Sequence, residues 1–574
     1  MEGQGLPPDS QFTVRFFPFD IAVAVPAGTS LLDAVRQAGL PLKSGCGGGG
    51  ICGDCLLSVK SGSYQAKSSA ALSQDLISRG YALACLTNVT DHLSVHLPQF
   101  QELSVQGITD SKFFHENKSN ISGYYEAGVL PRVVEEVVQG GTKEIYGIAC
   151  DVGTTTVVVQ LVDLSNGRVL NTASGYNHQL KCGEDIIARI NYSQKPGRLR
   201  ELNNLIVATI NKLIEKTLED TRISQLNIYY ASMCGNTTMV HFLLNLDPQY
   251  IRAEPYVPSL NQASLVVSRE LGISMNPEAK IICAPAVGSY VGGDITAGLL
   301  CTPILCDSEK VSLFVDVGTN GELVLGNRDW MVTCACSAGP AFEGSGTKCG
   351  MPAAEGAIEQ LKLVNGSLEY RVIGADKPRG LCGSGLVDLL AELFIHGYID
   401  RSGKLKKEEK ADSRFVETGA GKGFLIEKDE NCYWERDLVI TENDMANLIR
   451  TKGAIYSACS LLLKNMGLSF QNLDAIYIAG GFGRHLNIEN AIRIGLFPDL
   501  ERDKFRYLGN SSLIGSYLIL LSDKNRDLVN EIARKMTYIE LNTEPDYMRE
   551  YTGSLFLPHT DIDLFPTVRQ VFDR

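Results

Sequence analysis

Two stretches far apart in this chain read almost alike. "IYGIACDVGTTTVVVQLVDL", from Ile145, and "VSLFVDVGTNGELVLGN", from Val311, each run an apolar strand into Asp-Val-Gly-Thr and out into a second apolar strand. A strand, a tight D-x-G-T turn and a strand, used twice, predict two similar α/β halves facing each other across a cleft, with Asp151 and Asp316 at equivalent positions. The turn has a chemistry of its own. Gly153 and Gly318 let backbone approach a ligand, successive N–H groups form an anion cradle, and Thr154, Thr155 and Thr319 add hydroxyls. The carboxylates of Asp151 and Asp316 are suited to holding Mg2+, directly or through water, or to orienting an attacking water.

A third element strengthens this reading. "DAIYIAGGFGRHL" is an apolar strand running into Gly480, Gly481, Phe482 and Gly483, where a flat ring can lie against backbone. Other glycine-rich junctions are candidates for the same cleft: Gly235, Asn236 and Thr237 in "CGNTTMVHFLL", Gly292, Gly293 and Asp294 in "SYVGGDITAGLL", and Glu343 in "SAGPAFEG". At each of these the alternative is a helix cap that needs glycine. Asp294 and Glu343 stand out because a carboxylate beside phosphates has metal or water to manage.

Taken together, the motifs at 151, 316 and 479 resemble the phosphate-1, phosphate-2 and adenosine motifs of the ATPase superfamily of acetate and sugar kinases, heat-shock protein 70 and actin. The resemblance covers residues 145–574. It implies Mg-ATP bound by Asp151, Gly153, Thr154, Thr155, Asp316, Gly318, Thr319, Gly480 and Gly481; Gly235, Asn236, Thr237, Gly292, Gly293, Asn320 and Gly483 are further candidates for the nucleotide, and Asp151, Asp316 and Asp294 are the candidates for catalytic roles. No rival nucleotide signature is present, since no G-x-x-x-x-G-K-[ST] occurs and no G-x-G-x-x-G follows a strand.

The N-terminal region has a different character. "FTVRFFPFD" and "IAVAVP" read as two strands about a turn, "GTSLLDAVRQAG" as a helix capped by Thr29 or Ser30, and "LLSVKSG" and "YALACLT" as further strands, the last carrying Cys85. Between them lies "SGCGGGGICGDC". Cys46, Cys52, Cys55 and Cys85 give C-x5-C-x2-C-x29-C, close to the plant-type iron–sulfur spacing of C-x4-C-x2-C with a remote fourth thiol. A zinc knuckle is the alternative, but zinc sites favour paired C-x2-C modules and only one such pair is present. Residues 10–97 resemble the ferredoxin family, which implies an α+β (β-grasp) domain holding a low-potential [2Fe–2S] cluster.

Composition limits the rest. At 574 residues the chain has room for two to four domains. The sixteen cysteines are spread through a chain with no signal-like start, so thiols such as Cys150, Cys283 and Cys459, set among apolar residues, are expected to be small core residues. A net charge of −13 argues against a nucleic-acid partner. The longest apolar run, "SSLIGSYLILLS", falls short of a membrane span, so a cytoplasmic protein without a membrane partner is expected.

The expected architecture is therefore multidomain: a ferredoxin-like domain at 1–97, a linker at 98–144, and a duplicated actin-like ATPase with halves at 145–305 and 306–574. An electron carrier needs no ATP when electrons flow downhill. Its fusion to an ATPase suggests that nucleotide-driven closure pushes an electron to an acceptor of still lower potential, which requires that nucleotide states discriminate between the acceptor's redox states. The order of parts resembles the reductive activators of corrinoid proteins in anaerobic methyl transfer. That resemblance implies return of a partner's Co(II) corrinoid to Co(I) and an upstream low-potential electron donor, and the superfamily resemblance makes a homodimer through the ATPase half an expectation. A redox-regulated small-molecule kinase and an activator of another low-potential radical enzyme are the alternative readings.

Overall fold

The structure is a computed structural model that describes residues 11–17, 20–40, 42, 48–50, 55–69, 72, 74–97, 144–183, 185–219, 221–318, 320–344, 346–406, 412–418, 421–433, 437–480 and 486–572. In the N-terminal region β1 (Gln11–Phe17) and β2 (Ile21–Pro26) form the expected hairpin, followed by α1 (Leu31–Gln37), β3 (Leu56–Ser61), β4 (Tyr81–Leu83) and β5 (Leu93–His96). The Ser30 side chain caps α1 by accepting from Asp33 N–H. Strand order is β2-β1-β5-β3-β4, with β5 parallel to β1 and antiparallel to β3. Leu31, Leu32, Ala34 and Val35 of α1 pack with Val14, Phe16, Leu57 and Val95 of the sheet in one core, which is the β-grasp arrangement. The sequence differs from expectation at "YALACLT". Tyr81–Leu83 is strand, Ala84–Leu86 closes into a 3-10 turn and a new strand starts at Thr87, so Cys85 sits on a short helical bend.

From residue 145 the duplication is visible in the topology. The first half carries β6 (Tyr146–Val152), β7 (Thr156–Asp163), β8 (Arg168–Tyr176), β9 (Ile228–Cys234), α2 (Thr237–Leu243), β10 (Lys280–Cys283) and α3 (Gly293–Gly298). The second carries β11 (Ser312–Val317), β12 (Gly321–Gly326), β13 (Met331–Cys336), α4 (Glu442–Asn465), β14 (Ala475–Ala479), β15 (Phe505–Gly509), α5 (Ser511–Leu521) and β16 (Met536–Tyr538). Sheet orders are β8-β7-β6-β9-β10 and β13-β12-β11-β14-β15, each with one more edge strand, Val266–Val267 and β16 respectively. Each half is an antiparallel three-strand meander whose first strand continues into two parallel neighbours. The near-continuous apolar runs of β6 and β11 follow from burial on both sheet faces.

One core joins the halves. Ala149, Tyr230 and Ile282 of the first sheet pack with Phe314, Val324 and Tyr477 of the second, and between them lie Ile295 and Ala297 of α3 and Leu518 and Ile519 of α5. These two helices follow the last parallel strand of their respective halves, so they are counterparts. They cross at backbone contact: a Cβ at Gly515 would lie 2.2 Å from Ala297 O, and one at Gly298 would lie 2.8 Å from Ser511 Oγ. Among the described residues no helix is long and apolar enough to cross a membrane; "SSLIGSYLILLS" is the interior helix α5. Cys150, Cys283 and Cys459 are buried core residues as expected.

Candidate functional site

Two sites take shape, one in each part of the chain. In the N-terminal domain Cys55 ends the glycine-rich loop and Cys85 rides the 3-10 turn, which is held by an Ala84 N–H to Cys55 O bond of 2.9 Å. Their sulfurs lie 3.2 Å apart. Gly48 and Gly50 take positive φ, and a Cβ on Gly50 would meet Leu86 at 2.8 Å, so the loop folds closely over the turn that carries Cys85. Cys46 and Cys52 lie outside the described residues. The convergent thiol pair and the side-chain-free loop fit a cluster that takes thiolate ligands and backbone N–H donors.

The cleft is built around the two D-x-G-T turns. In the first, the carbonyls are tied back: Gly153 O accepts from Asn177 Nδ2 at 3.0 Å, Thr154 O from Arg189 Nη2 at 2.7 Å and Thr155 O from Asn177 N–H at 2.9 Å. None of the amides of Gly153, Thr154 and Thr155 donates to an acceptor among the described residues, which leaves three N–H groups for an anion. Asn236 joins the two readings of its junction. Its Oδ1 caps α2 through Met239 N–H, and its Nδ2 donates to Thr154 Oγ1 at 2.9 Å. The Thr237 hydroxyl, by contrast, donates to Gly288 O at 2.6 Å and braces the neighbouring loop. Gly235, Gly292 and Gly293 allow close approach: a Cβ would meet Val152 O at 2.7 Å, Asn236 Cα at 2.5 Å and Ala284 O at 2.4 Å respectively.

The second turn is not a copy of the first. Gly318 N–H is spent on Asn320 O at 2.9 Å, and Thr319 lies outside the described residues. Asp316 pairs in register with Glu322 across the hairpin, where the first half pairs Asp151 with Val158. Gly480 follows β14 at φ +99°, and a Cβ there would lie 2.6 Å from Asp316 Oδ1 and 2.5 Å from Val317 O. Glycine is required at 480 on both counts. Gly481 and Gly483 lie outside the described residues.

Acidic groups gather where these segments meet. Asp151, Asp294, Asp316 and Glu322 are deeply placed, and Glu343 brings Oε1 to 3.4 Å from where a Gly318 Cβ would stand. Burial raises the Asp294 carboxyl to about 7, helped by the charge of Asp151. It raises Asp316 to about 8, with repulsion from Asp294, Asp151 and Glu343 added. Glu322 is pushed up by the same two causes. Asp151 is raised by burial and drawn back by two hydrogen bonds, from Asn510 and Ser512. No lysine or arginine among the described residues offsets Asp151, Asp294 or Asp316. A crowd of hard oxygen donors without a protein cation fits a divalent cation. Among the described residues no three acidic, histidine or cysteine groups converge into a metal cage.

This charge balance sets a pH dependence. In the unfolded chain both aspartates ionise near about 4, so the folded, nucleotide-free protein binds more protons between there and the values of about 7 and about 8 at Asp294 and Asp316. Stability present at low pH is therefore lost as pH rises through that window. Melting temperature of the metal-free protein should fall from about pH 5.5 to about pH 8, and the slope should flatten in Asp316→Asn; a rise over the window contradicts the assignment.

Both parts of the chain match known protein families. Residues 310–569 match the family described as the C-terminal domain of RACo, the ASKHA domain, residues 146–305 the RACo middle region, and residues 18–90 the 2Fe-2S iron-sulfur cluster binding domain. The corrinoid activation enzyme RamQ of Eubacterium limosum is 32% identical over 568 residues, covering 90% of this chain and 94% of that protein. The chain belongs to the RACo family of reductive activators of corrinoid proteins. A second relative, the [Co(II) methylated amine-specific corrinoid protein] reductase of Methanosarcina barkeri, is 28% identical over 68% of this chain and 73% of its own length. The solved structure titled reductive activator for corrinoid,iron-sulfur protein superposes with a TM-score of 0.71 at 38% identity, covering 97% of this chain and all of that one.

In this RACo-family chain the site also contains residues that motif reading passes over. Glu322 lies on β12, otherwise fully apolar and buried, and a charge in such a strand is its signal. Asn510 and Ser512 reach Asp151 from the head of α5, whose sequence stands out only as an apolar run. Arg189 is 0% exposed and donates to Thr154 O, Gly183 O and Gln179 Oε1 behind the first turn. Its signal is an arginine inside the apolar run "IIARI". Arg189→Met keeps the bulk but leaves three buried acceptors without these donors. It should cost about 3 kcal/mol in denaturant melts and disorder the first turn, seen as weaker ATP binding; a loss under about 1 kcal/mol contradicts the bracing role.

Proposed function

We propose that this chain is an ATP-dependent reductive activator: one electron from a [2Fe–2S] cluster held by Cys46, Cys52, Cys55 and Cys85 reduces the Co(II) corrinoid of a partner protein to Co(I), and the nucleotide cleft drives the transfer. The observation that carries this reading is the joining, in one chain, of a convergent thiol pair and a duplicated, acid-lined cleft, together with relatives matching 90% and 68% of the chain that are named as a corrinoid activation enzyme and a corrinoid protein reductase.

When bound, the cluster supplies one-electron transfer, and this chain's residues do the rest. Cys55 and Cys85 would hold the cluster on the β-grasp domain. The open amides of Gly153, Thr154 and Thr155 take the phosphates, Asp151 and Asp316 take Mg2+ or its water, and Asp294 is placed to orient the attacking water. Gly480 gives the adenosine side a wall of bare backbone. Because the turns belong to different halves, a ligand gripped by both favours closure, and closure does work on the electron only if the partner's Co(II) and Co(I) forms bind the open and closed states unequally. The reading includes ATP hydrolysis, an upstream low-potential electron donor, a homodimer and a cytoplasmic setting. The division into 1–97, 98–144, 145–305 and 306–574 belongs to the same proposal.

The test is a binding comparison. Affinity for a corrinoid protein held as Co(II) or as Co(I) is measured with ADP and with a non-hydrolysable ATP analogue. A preference for one cobalt state that changes at least tenfold between nucleotides supports the reading; equal affinities in all four combinations sink it.

A further inference from the structure

The Asp151 carboxylate is held from the far end of the chain. Asn510 Nδ2 donates to Asp151 Oδ2 at 2.8 Å and Ser512 Oγ donates to Asp151 Oδ1 at 2.8 Å, so each carboxylate oxygen has one donor from the N-terminus of α5. Although α5 follows the second half's sheet in sequence, its polar contacts fasten it to the first half. Ser516 Oγ accepts from Cys150 N–H at 3.1 Å and donates to Ser232 O at 2.8 Å, and Tyr517 hydroxyl donates to Gly167 O at 2.5 Å. Beyond α5, Arg526 Nη1 donates to Tyr230 hydroxyl at 3.0 Å.

The duplication sharpens what this contact means. Ser512 is the second residue of α5, and Asp294 is the second residue of the counterpart helix α3. One helix thus presents a hydroxyl to Asp151, while the other carries a carboxylate that faces the charges of both Asp151 and Asp316. Asp151 therefore has hydrogen-bond donors at the head of α5 where its counterpart helix α3 offers a second acid. A carboxylate has about four acceptor directions, and two fixed donors leave the others aimed and free.

We propose that Asn510 and Ser512 are positioning residues that fix both oxygens of Asp151 so that its remaining lone pairs meet the divalent cation of a bound metal–nucleotide. The assignment rests on the Mg-nucleotide reading of the cleft. Groups that orient a metal ligand typically change metal affinity by about 10- to 100-fold when removed, without touching the metal themselves. The contact also explains why α5 is bolted to the first half: the donors must stay in register with Asp151 while the cleft opens and closes.

The test uses the full-length protein with Mn2+ as the probe, following the loss of the free Mn2+ electron paramagnetic resonance signal in the presence of ADP. Three variants are compared with the parent. Ser512→Ala removes one donor. Asn510→Ser keeps a capping residue at the head of α5 but is too short to reach Asp151. Ser512→Thr restores the hydroxyl. The expected result is at least a tenfold loss of Mn2+ affinity in Ser512→Ala and Asn510→Ser, recovery in Ser512→Thr, and metal-free ADP binding within twofold of the parent throughout. Mn2+ affinity within twofold of the parent in both deletion variants, or an equal loss of ADP binding with and without Mn2+, overturns the positioning role. Failure of the parent to bind Mn2+ with ADP at all overturns the nucleotide reading itself, and the positioning role with it.

Discussion

Cys85→Ser should yield a folded protein that binds nucleotide normally, carries no [2Fe–2S] cluster and forms no Co(I). The substitution removes one sulfur from a pair 3.2 Å apart and puts in its place a hydroxyl, a poor ligand for iron. Little else depends on that sulfur. The 3-10 turn is anchored by Ala84 N–H to Cys55 O and by Thr87 Oγ1 to Leu83 O at 2.9 Å, and the β-grasp core is made by aliphatic residues of α1 and the sheet. The expected signature is loss of the visible absorption of the reconstituted protein and loss of Co(I) formation to below about 1% of the parent, with nucleotide affinity within twofold. A variant that keeps its absorption and its reducing activity would show that Cys85 is a core thiol and that the cluster, if present, is held by other residues.

The second large effect is at Asp316. Asp316→Asn is nearly isosteric, so it fits against the Gly480 backbone as the aspartate does, but it cannot hold a cation or accept a proton from water. ATP turnover should fall by about 100- to 10,000-fold, the range seen when a positioned acid–base group is removed. Stability should move the other way. Burial and the charges of Asp294, Asp151 and Glu343 all oppose ionisation at this position, so a neutral amide relieves the nucleotide-free protein, most of all near pH 8. A more stable, inactive protein is the behaviour of a site built under strain for function. Turnover within tenfold of the parent, or a lower melting temperature near pH 8, contradicts the role.

What could be read from the sequence was whatever is local. The thiol spacing, the hairpin before α1 and the two D-x-G-T hairpins each lie within a few tens of residues and carry their own signals. Contacts with no local signature were out of reach. Asn510 and Ser512 lie 359 and 361 residues from Asp151, and a helix cap followed by an apolar run gives no hint of what the cap residue faces. Leu93–His96 offers only four residues of alternation and so gives β5 little signal, yet it is the strand that joins β1 to β3. "YALACLT" is apolar enough to read as one strand through Cys85, whereas Ala84 N–H bonds to Cys55 O and the chain turns there instead. The repeat also invited the assumption that both turns act alike. Glu322 opposite Asp316, the spent Gly318 amide and Ser512 at the position that Asp294 holds in α3 make the two turns structurally different.

The central claim is that nucleotide turnover in the cleft drives the electron uphill. The most direct measurement is anaerobic: the chemically reduced protein is mixed with a Co(II) corrinoid protein, with and without Mg-ATP, and the visible spectrum is followed for Co(I). The account predicts Co(I) only with ATP, and none in Cys85→Ser or Asp316→Asn. Co(I) forming at the same rate and to the same extent without ATP, or in Asp316→Asn, would contradict it.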